Sequence, residues 1–520
     1  MKRKKFEAEN QLGQYRRRFR IAFRYQYNIS ETQEDIYSFT HQHCGDWHVH
    51  SGDALPACRL RDEKGRHIGV VLGIAVGPLG LLSKASPFIP LDSTHPQFWK
   101  KFEDYIIDVA GRYAFVLTRG TQTRVYVDPV GMIGAVYNED DRYIAASPLL
   151  AIKRPVEQNP KFDPSIVEEH GGKYSLFHTV DAHVKRLMPN HYLDLSDFKE
   201  YRFWPNTENF VEPKQTRLAI YAEIAARTLF NVSAISAAFK CALPISGGQD
   251  SRLLLAMAKS NLHNIEQIYT HINNYATRID SAIGQTLCST IGINHESHDR
   301  RKYSMQRWET VLTKQLFNAT VGYPSPAPKE YLNGVIKGVE DGSVILRGHQ
   351  TDLLRAVYVF APEDRWHEVN WQLERLLIVP RQMFDQNIVD TFKDDFLNWQ
   401  STLPKNAKKK AADFMFLEIY YNSTVGAMFP ALWRNFYVSP YNSRRLISLS
   451  LSFPEDVRRK SEPVFDIIQH FAPDIARVPF DYEIGSKISL MGDLEHLKKI
   501  TKERLESTTK RLSILDSETG

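Results

Sequence analysis

The residues best suited to chemistry lie at positions 246–251, where an apolar stretch runs into two glycines and then into a helical pattern. Gly247 and Gly248 would let the backbone approach an oxyanion and turn its N–H groups toward it, and a helix start adds partial positive charge. Ser246 and Ser251 carry hydroxyl groups that can donate to phosphate oxygens. Asp250 would repel a bare phosphate, so it is best explained as a ligand of Mg²⁺ that bridges phosphates. The alternative is a Gly-Gly turn in which Asp250 caps the helix.

The elements around this string are those of a parallel βαβ unit. Residues 241–245 are apolar and predict a strand, a helix is expected over about 250–259, and a second strand over 265–272. A long helix rich in alanine, isoleucine and leucine is predicted over 216–238. The string therefore occupies a strand-loop-helix setting, which suits a phosphate-binding loop.

The string, Ser-Gly-Gly-Gln-Asp-Ser, resembles the SGGxDS pyrophosphate loop of the PP-loop ATP pyrophosphatases, and the following Arg252 and leucines are similar to the asparagine-synthetase branch. Residues 291–296 are similar to the family's Gly-x-x-His-x-Glu segment, although Glu296 comes one place early. His295 and Glu296 also fit a structural strand end, which we favour. The resemblance implies ATP and Mg²⁺ as cofactors.

A second landmark follows the apolar residues 344–346. Residues 348–353, Gly-His-Gln-Thr-Asp-Leu, resemble the family's G-[DE]-G-x-D-E loop. The resemblance implies that Asp352 shares Mg²⁺ with Asp250, and two carboxylates on one metal would hold the triphosphate for attack at the α-phosphorus. The departures from the family pattern are His349, Gln350 and Leu353. Of these, His349 and Leu353 disfavour asparagine as the product.

Two segments near the carboxyl end extend the resemblance. Residues 479–487 are similar to the segment that carries a lysine in these synthetases. Lys487 would then neutralise charge on the pyrophosphate and on a tetrahedral intermediate, with an ordinary surface lysine as the alternative. Residues 438–454 resemble the family's P-F-L-D…LP helix segment, whose aspartate has no clear counterpart here.

The first part of the chain has a β-rich pattern. Strands are predicted over 19–27, 67–76, 112–117 and 124–127, and a helix laid against a sheet over 98–110. Residues 111–117, followed by Val-Asp-Pro-Val-Gly at 127–131 and Val-Tyr at 136–137, are similar to the G-x-F-[AV]…D-x-x-G…Y-Y hairpins of class II glutamine amidotransferases.

In those enzymes the nucleophile is a cysteine whose own free amine acts as the base, so it must be the mature N-terminal residue. This chain begins Met1-Lys2-Arg3, and its first cysteine, Cys44, lies well inside. We therefore expect an amidotransferase-like domain without glutaminase activity.

These patterns predict α+β and α/β architecture in two domains, because 520 residues exceed what one core usually supports. We expect a basic tail over 1–18 and an Ntn-hydrolase-like β-sandwich over 19–205. A PP-loop domain with a parallel sheet and a helical carboxyl-terminal part is predicted over 206–510, followed by a tail over 511–520. The boundary follows from a stretch rich in proline and asparagine.

The composition of the chain limits the classes of partner and the compartment that we expect. The net charge of +5 is small for this length, so nucleic acid is not expected. The basic start of the chain is expected to be solvated, with contact to an anionic surface as the alternative. No stretch of about 18 uncharged apolar residues supports a membrane span. Four cysteines are too few for a disulfide framework, so the cytoplasm is expected. Oligomeric state does not follow from these patterns.

A cluster of histidines and cysteines occurs between residues 41 and 58. Its spacing fits no standard zinc pattern. The alternation over residues 47–50 predicts a strand whose histidines share one face. We favour strand and loop residues, with metal ligands as the alternative. The cluster consists of His41, His43, Cys44, His48, His50 and Cys58.

The leading hypothesis is an AMP-forming amide ligase. It would adenylate a small-molecule, peptide or sugar carboxylate and transfer it to ammonia or a substrate amine. A catalytically degenerate nucleotide-binding scaffold is the second hypothesis, motivated by the altered loop at 348–354 and by the missing nucleophile. Sulfur transfer is the third, disfavoured because no CxxC motif is present.

Overall fold

The computed structural model describes residues 4–13, 16–83, 87–169, 173–210, 213–357, 368–376, 386–484 and 494–517. The strands within these ranges are β1 Tyr27–Ser30, β2 Phe39–Cys44, β3 Trp47–Gly52, β4 Ala57–Arg61, β5 His67–Gly77, β6 Gly80–Leu81, β7 Ala110–Arg119, β8 Gln122–Val127, β9 Val136–Asn138, β10 Tyr143–Ala145, β11 Val184–Arg186, β12 His191–Asp194, β13 Lys199–Arg202, β14 Cys241–Pro244, β15 Gln267–Ile272, β16 Glu296–Asp299, β17 Val344–Leu346 and β18 Phe436–Val438.

The helices in the same ranges are α1 Glu7–Gln11, α2 Arg16–Phe23, α3 Phe98–Tyr105, α4 Pro164–Glu169, α5 Arg217–Ser236, α6 Gln249–Met257, α7 Tyr275–Thr290, α8 Arg307–Val321, α9 Lys329–Leu332, α10 Val369–Leu376, α11 Gln386–Ser401, α12 Ala411–Met415, α13 Tyr421–Met428, α14 Arg444–Leu451, α15 Glu455–Arg459, α16 Glu462–Phe471, α17 Pro473–Ala476, α18 Asp481–Ile484 and α19 Leu494–Ser517.

The chain divides into two compact units. The first contains residues 1–211, 308–327 and 358–436, and the second contains residues 212–307, 328–357 and 437–520. Each predicted domain is one continuous segment of the chain, whereas each of these units is assembled from three separate segments. The first interruption of the chain, near residue 211, nevertheless falls close to the predicted boundary.

Two antiparallel sheets form the first unit. One has the strand order β11-β9-β10-β1-β3-β2, and the other has the order β13-β12-β8-β7-β5-β4 with β6 beside β5. The α3 helix covers the second sheet, since the ring of Phe102 lies 5.5 Å from Phe115 and 5.0 Å from Tyr126. The helix predicted against a sheet is therefore confirmed, and it continues as a short 3-10 turn to Asp108.

The amino-terminal end of this unit differs from the expectation. The predicted strand over 19–27 is wrong, because α2 occupies most of it and only Tyr27 begins β1. Phe19, Ala22 and Phe23 are buried at helical spacing, and arginines occupy the other face. Within the predicted basic tail, Phe6 is fully buried beside Tyr143.

The second unit is built on a five-stranded sheet with the order β16-β15-β14-β17-β18. β14 pairs in parallel with β15 and β17, and β15 pairs in parallel with β16. The predicted βαβ unit is therefore confirmed as β14, α6 and β15, and α5 corresponds to the predicted long helix. Antiparallel sheets in one unit and a parallel sheet in the other confirm the mixed α+β and α/β class.

Helices make up the carboxyl-terminal part of the second unit, as predicted. The tail predicted over 511–520 is helical up to residue 517, because α19 extends to Ser517. Arg511 of this helix donates at 2.8 Å to the buried Asp466 of α16, and this contact anchors α19 to α16.

One described helix, α5, is long and apolar enough to cross a membrane. Its side chains are buried at regular intervals from Ile220 to Ile235, as in a core helix of a globular unit. We therefore find no clear membrane span among the described residues.

Candidate functional site

The predicted site residues that fall within the described ranges lie where the strand order of the parallel sheet reverses. From β14 the chain moves outward through β15 and β16, and it then returns to place β17 on the other side of β14. Parallel α/β sheets bind ligands outside the carboxyl ends of their strands at such a switch point. Residues 245–250 follow the carboxyl end of β14, and residues 347–355 follow that of β17.

The loop after β14 is held by its own serines. Ser246 donates its N–H to the hydroxyl of Ser251 at 3.0 Å, and the two hydroxyl oxygens are also 3.0 Å apart. Gly248 donates its N–H to the hydroxyl of Ser246 at 3.3 Å and precedes the first residue of α6. The predicted strand-loop-helix arrangement is confirmed, and both predicted serines face the loop.

Gly247 is so tightly packed that the loop has no room for a side chain at this position. A Cβ atom there would lie 2.6 Å from Cδ1 of Ile283 and 2.8 Å from Cβ of Asp481. Its N–H donates to Oδ1 of Asp280 at 2.8 Å, and its carbonyl accepts the N–H of Asp481 at 3.1 Å. The loop therefore already presents one backbone N–H to an anionic acceptor.

Asp280 is a site residue that sequence analysis missed. It lies on α7, 33 residues from Gly247, and no local pattern marks it. Burial raises the pKa of Asp280, and the nearby charge of Asp481 raises it further, against the opposing effect of the Gly247 N–H. A carboxylate with these neighbours is destabilised by burial, so a phosphate oxygen could replace it at this N–H.

Asp250, in the first turn of α6, contacts the segment after β17. The hydroxyl of Thr351 donates to Oδ1 of Asp250 at 3.0 Å, and the guanidinium of Arg355 donates to Oδ2 at 2.6 Å. A Cβ atom on Gly348 would lie 2.7 Å from the carbonyl oxygen of Asp250, so only glycine allows this approach. The two predicted loops are therefore in direct contact.

Asp352 lies in the 3-10 helix Thr351–Arg355, between the two residues that contact Asp250. Its negative charge raises the pKa of Tyr441, a shift caused mainly by the burial of that phenol. The two predicted metal ligands therefore lie on segments that are in contact, Asp250 in the first turn of α6 and Asp352 in this 3-10 helix. Arg355, which pairs with Asp250, was not predicted.

Asp250 and Asp352 could hold Mg²⁺ only together with the phosphates of a nucleotide. Mg²⁺ is usually bound by one or two carboxylates plus substrate phosphates, and Asp250 and Asp352 can supply these. Among the described residues, the side chains whose ligand atoms all converge within 4.8 Å are three histidines in the first unit. A metal at the loop would therefore depend on phosphate oxygens to complete its ligands.

No known family model matches the chain, and no curated protein matches it.

Arg252 packs behind the loop, where its guanidinium also lies 3.5 Å from the carbonyl oxygen of Gly247. It is buried, donates at 2.6 Å to the carbonyl of Pro479, and lies 3.7 Å from the ring centre of Phe480. Burial lowers its pKa to about 9, and the neighbouring Arg504 adds to this effect. Arg252 thereby fixes residues 478–480 against α6. Lys487, predicted further along the same segment, lies outside the described residues.

The remaining landmark residues have structural surroundings. Nε2 of His295 lies 2.9 Å from the hydroxyl of Thr270, and Glu296 accepts from Gln267 at 2.6 Å. These contacts agree with the favoured interpretation of a strand end. Burial lowers the pKa of His349 to about 3, so it is neutral at pH 7 and does not replace the family's acidic residue in charge.

Proposed function

We propose that the second unit binds Mg²⁺–ATP at the 246–251 loop and joins a carboxylate to an amine with release of AMP and pyrophosphate. The observation that carries this proposal is the hydrogen bond from the N–H of Gly247 to Asp280, at the carboxyl end of a central parallel strand. This N–H already holds an anionic group at the switch point of the sheet, where nucleotides bind in open α/β folds.

The loop residues would bind the phosphates that leave as pyrophosphate. The N–H groups of Gly247 and Gly248 and the hydroxyl groups of Ser246 and Ser251 would exchange their internal acceptors for phosphate oxygens. Mg²⁺ held by Asp250 and Asp352 would neutralise phosphate charge.

In the proposed reaction, an oxygen of the substrate carboxylate attacks the α-phosphorus and the bond to the pyrophosphate breaks. Ammonia or a substrate amine then attacks the acyl carbon, loses a proton and displaces AMP. On binding of the nucleotide, Arg355 would move from Asp250 to a phosphate oxygen, because a guanidinium favours bidentate phosphate contacts. Stabilisation of the leaving charges by Lys487 remains a prediction.

The first unit supports a reaction that uses free ammonia or an amine. Its Cys44 is fully buried, and burial raises the pKa of its thiol to about 12. A thiol in this environment is a poor nucleophile, so it does not suit glutamine hydrolysis. All four cysteines are free, which fits the cytoplasm, where ATP is available.

Two other functions remain candidates. A nucleotide-binding scaffold is favoured by the Arg355–Asp250 pair, since the ion pair satisfies the carboxylate without a metal. Sulfur transfer is disfavoured, because burial raises the pKa of the Cys241 and Cys288 thiols to about 12 in the unit that would act. Formation of a thiolated product would be evidence for sulfur transfer.

The test is exchange between ATP and labelled pyrophosphate, measured with pools of amino acids, uronic acids and peptides. We expect exchange that depends on one acid and is lost in Asp250→Asn. The control is Asp474→Asn, which removes the same charge from a surface pair with Lys259 in the same unit. Binding of Mg²⁺–ATP without exchange in any pool would favour the scaffold, and no binding would contradict the nucleotide site.

A further inference from the structure

The hairpin of β2 and β3 carries four histidines on one face. Its register pairs His43 with His48 and His41 with His50. Because side chains alternate across a strand, these rings share the face opposite the buried Cys44 and its cross-strand partner Trp47. The burial of one face therefore holds the histidines together on the other. The shared face predicted for His48 and His50 is confirmed, and the pairing adds His41 and His43 to it.

Three of these rings converge. One ring nitrogen from each of His41, His43 and His48 lies within 4.8 Å of the other two. Nε2 of His41 and Nδ1 of His48 are 2.8 Å apart. The ring centre of His43 lies 4.6 Å from both of the others. Within the described parts of the chain, no other group of histidine, cysteine or acidic side chains converges in this way.

The spacing can accommodate one metal ion. Tetrahedral Zn²⁺ with Zn–N bonds of about 2.0–2.1 Å holds its nitrogens about 3.3 Å apart. The rings therefore need shifts of about 1 Å, and the exposed His43 has room to make them. Neutral imidazole is the form that binds metals, and either of its ring nitrogens can be the ligand atom for Zn²⁺.

A fourth histidine and three charged groups, Glu34, Arg59 and Lys153, neighbour the three rings. His50 is buried, accepts the N–H of Glu34 at 3.0 Å through Nε2, and lies 5.1 Å below the ring of His41. The carboxylate of Glu34 accepts from Lys153 at 2.7 Å. Arg59 is the positive charge that acts on His41, and Glu34 is the negative charge that acts on His48.

We propose that His41, His43 and His48 bind one transition-metal ion, with Zn²⁺ as the best fit and an open position for water. Three imidazoles suit zinc, copper, nickel or cobalt, whereas Mg²⁺ and Ca²⁺ prefer oxygen ligands. The site lies in the first unit and is independent of the nucleotide loop.

The test uses the untagged full chain, stripped with a chelator and titrated with Zn²⁺ by calorimetry and with Co²⁺ by visible absorption. We expect one ion per chain and intense Co²⁺ bands typical of tetrahedral geometry. His43→Gln should weaken Zn²⁺ binding about tenfold or more, since it removes one of three ligands. The control is His263→Gln, which removes an exposed histidine from the second unit.

His43 is exposed, so its replacement should leave folding unchanged, as circular dichroism can verify. His41→Gln provides a second variant and should give the same loss. The proposal is overturned if the wild type binds no stoichiometric Zn²⁺, or if it binds Zn²⁺ as tightly after both replacements as before.

Discussion

The guanidinium of Arg355 donates to the carboxylate of Asp250 at 2.6 Å, and this ion pair joins α6 to the 3-10 helix after β17. The carboxylate is 38% exposed, so solvent weakens the pair and its contribution to stability is small. A carboxylate held in this way can exchange its partner at low cost, which suits a residue that binds a metal only with the nucleotide.

Asp250→Asn should therefore have a small effect on the stability of the protein and a large effect on its affinity for Mg²⁺–ATP. We expect the free energy of unfolding to fall by about 1 kcal/mol or less. The Mg²⁺-dependent affinity for ATP should fall about tenfold or more, because the charge that holds the metal is lost. Urea unfolding and calorimetry measure the two quantities. Equal losses in Asp250→Asn and in the control Asp474→Asn would contradict the metal role.

Alanine substitution of the two loop glycines should have different consequences. Gly247→Ala places a Cβ atom 2.6 Å from Ile283, so we expect a loss of about 1–3 kcal/mol in stability. Gly248→Ala meets only the Ser246 hydroxyl at 3.5 Å and should be nearly neutral for stability. It should still weaken pyrophosphate binding, because the new methyl group stands beside an N–H that contacts phosphate. Unchanged binding in Gly248→Ala would be evidence against a phosphate loop.

Asp280→Asn tests the competition between phosphate and the acid on α7. Asparagine keeps an oxygen for the Gly247 N–H but removes a negative charge, so metal-free pyrophosphate should bind about fivefold more tightly at pH 7. As the pH falls through the raised pKa of Asp280, the wild-type acid becomes neutral as well. The difference between the two proteins should then shrink. A difference that is absent at pH 7, or grows in acid, would rule out this competition.

Glu418 should be costly to neutralise in the first unit. It is fully buried and accepts two hydrogen bonds from Arg202 at 2.7 Å, with others from Asn190 and Trp399. Burial alone would raise its pKa, but Arg202 outweighs burial and the pKa is lowered. Glu418→Gln should cost about 3–5 kcal/mol at pH 7 because Arg202 loses its charge partner.

The same variant predicts a direction for the pH dependence. A lowered pKa contributes stability above the unfolded pKa, and this stability is lost as the pH falls through the folded pKa. The deficit of Glu418→Gln should therefore shrink in acid. The control is Glu157→Gln, an exposed acid of the same unit. Similar unfolding curves for the two variants would show that the buried pair does not stabilise the unit.

Local patterns predicted the loop between β14 and α6, because an apolar strand, two glycines and a helical period occur within about twenty residues. Asp280 and Arg355 were missed since they reach the loop only through tertiary packing. The α2 helix was mistaken for a strand because its aromatic residues also fit a short alternating pattern. The division of each unit into three chain segments depends on long-range contacts, which the local periodicity of apolar residues does not reveal. In the histidine hairpin, strand alternation predicted the shared face but not the convergence of three rings.

The most direct test of the central claim is the identity of the nucleotide product. Mg²⁺–ATP is incubated with ammonia and the pooled acids, and the products are separated for the wild type, Asp250→Asn and Asp474→Asn. We predict AMP and pyrophosphate in equal amounts, dependent on an acid, from the wild type and Asp474→Asn but not from Asp250→Asn. ADP and phosphate as the products, or AMP formed equally by Asp250→Asn, would contradict an AMP-forming ligase at this loop.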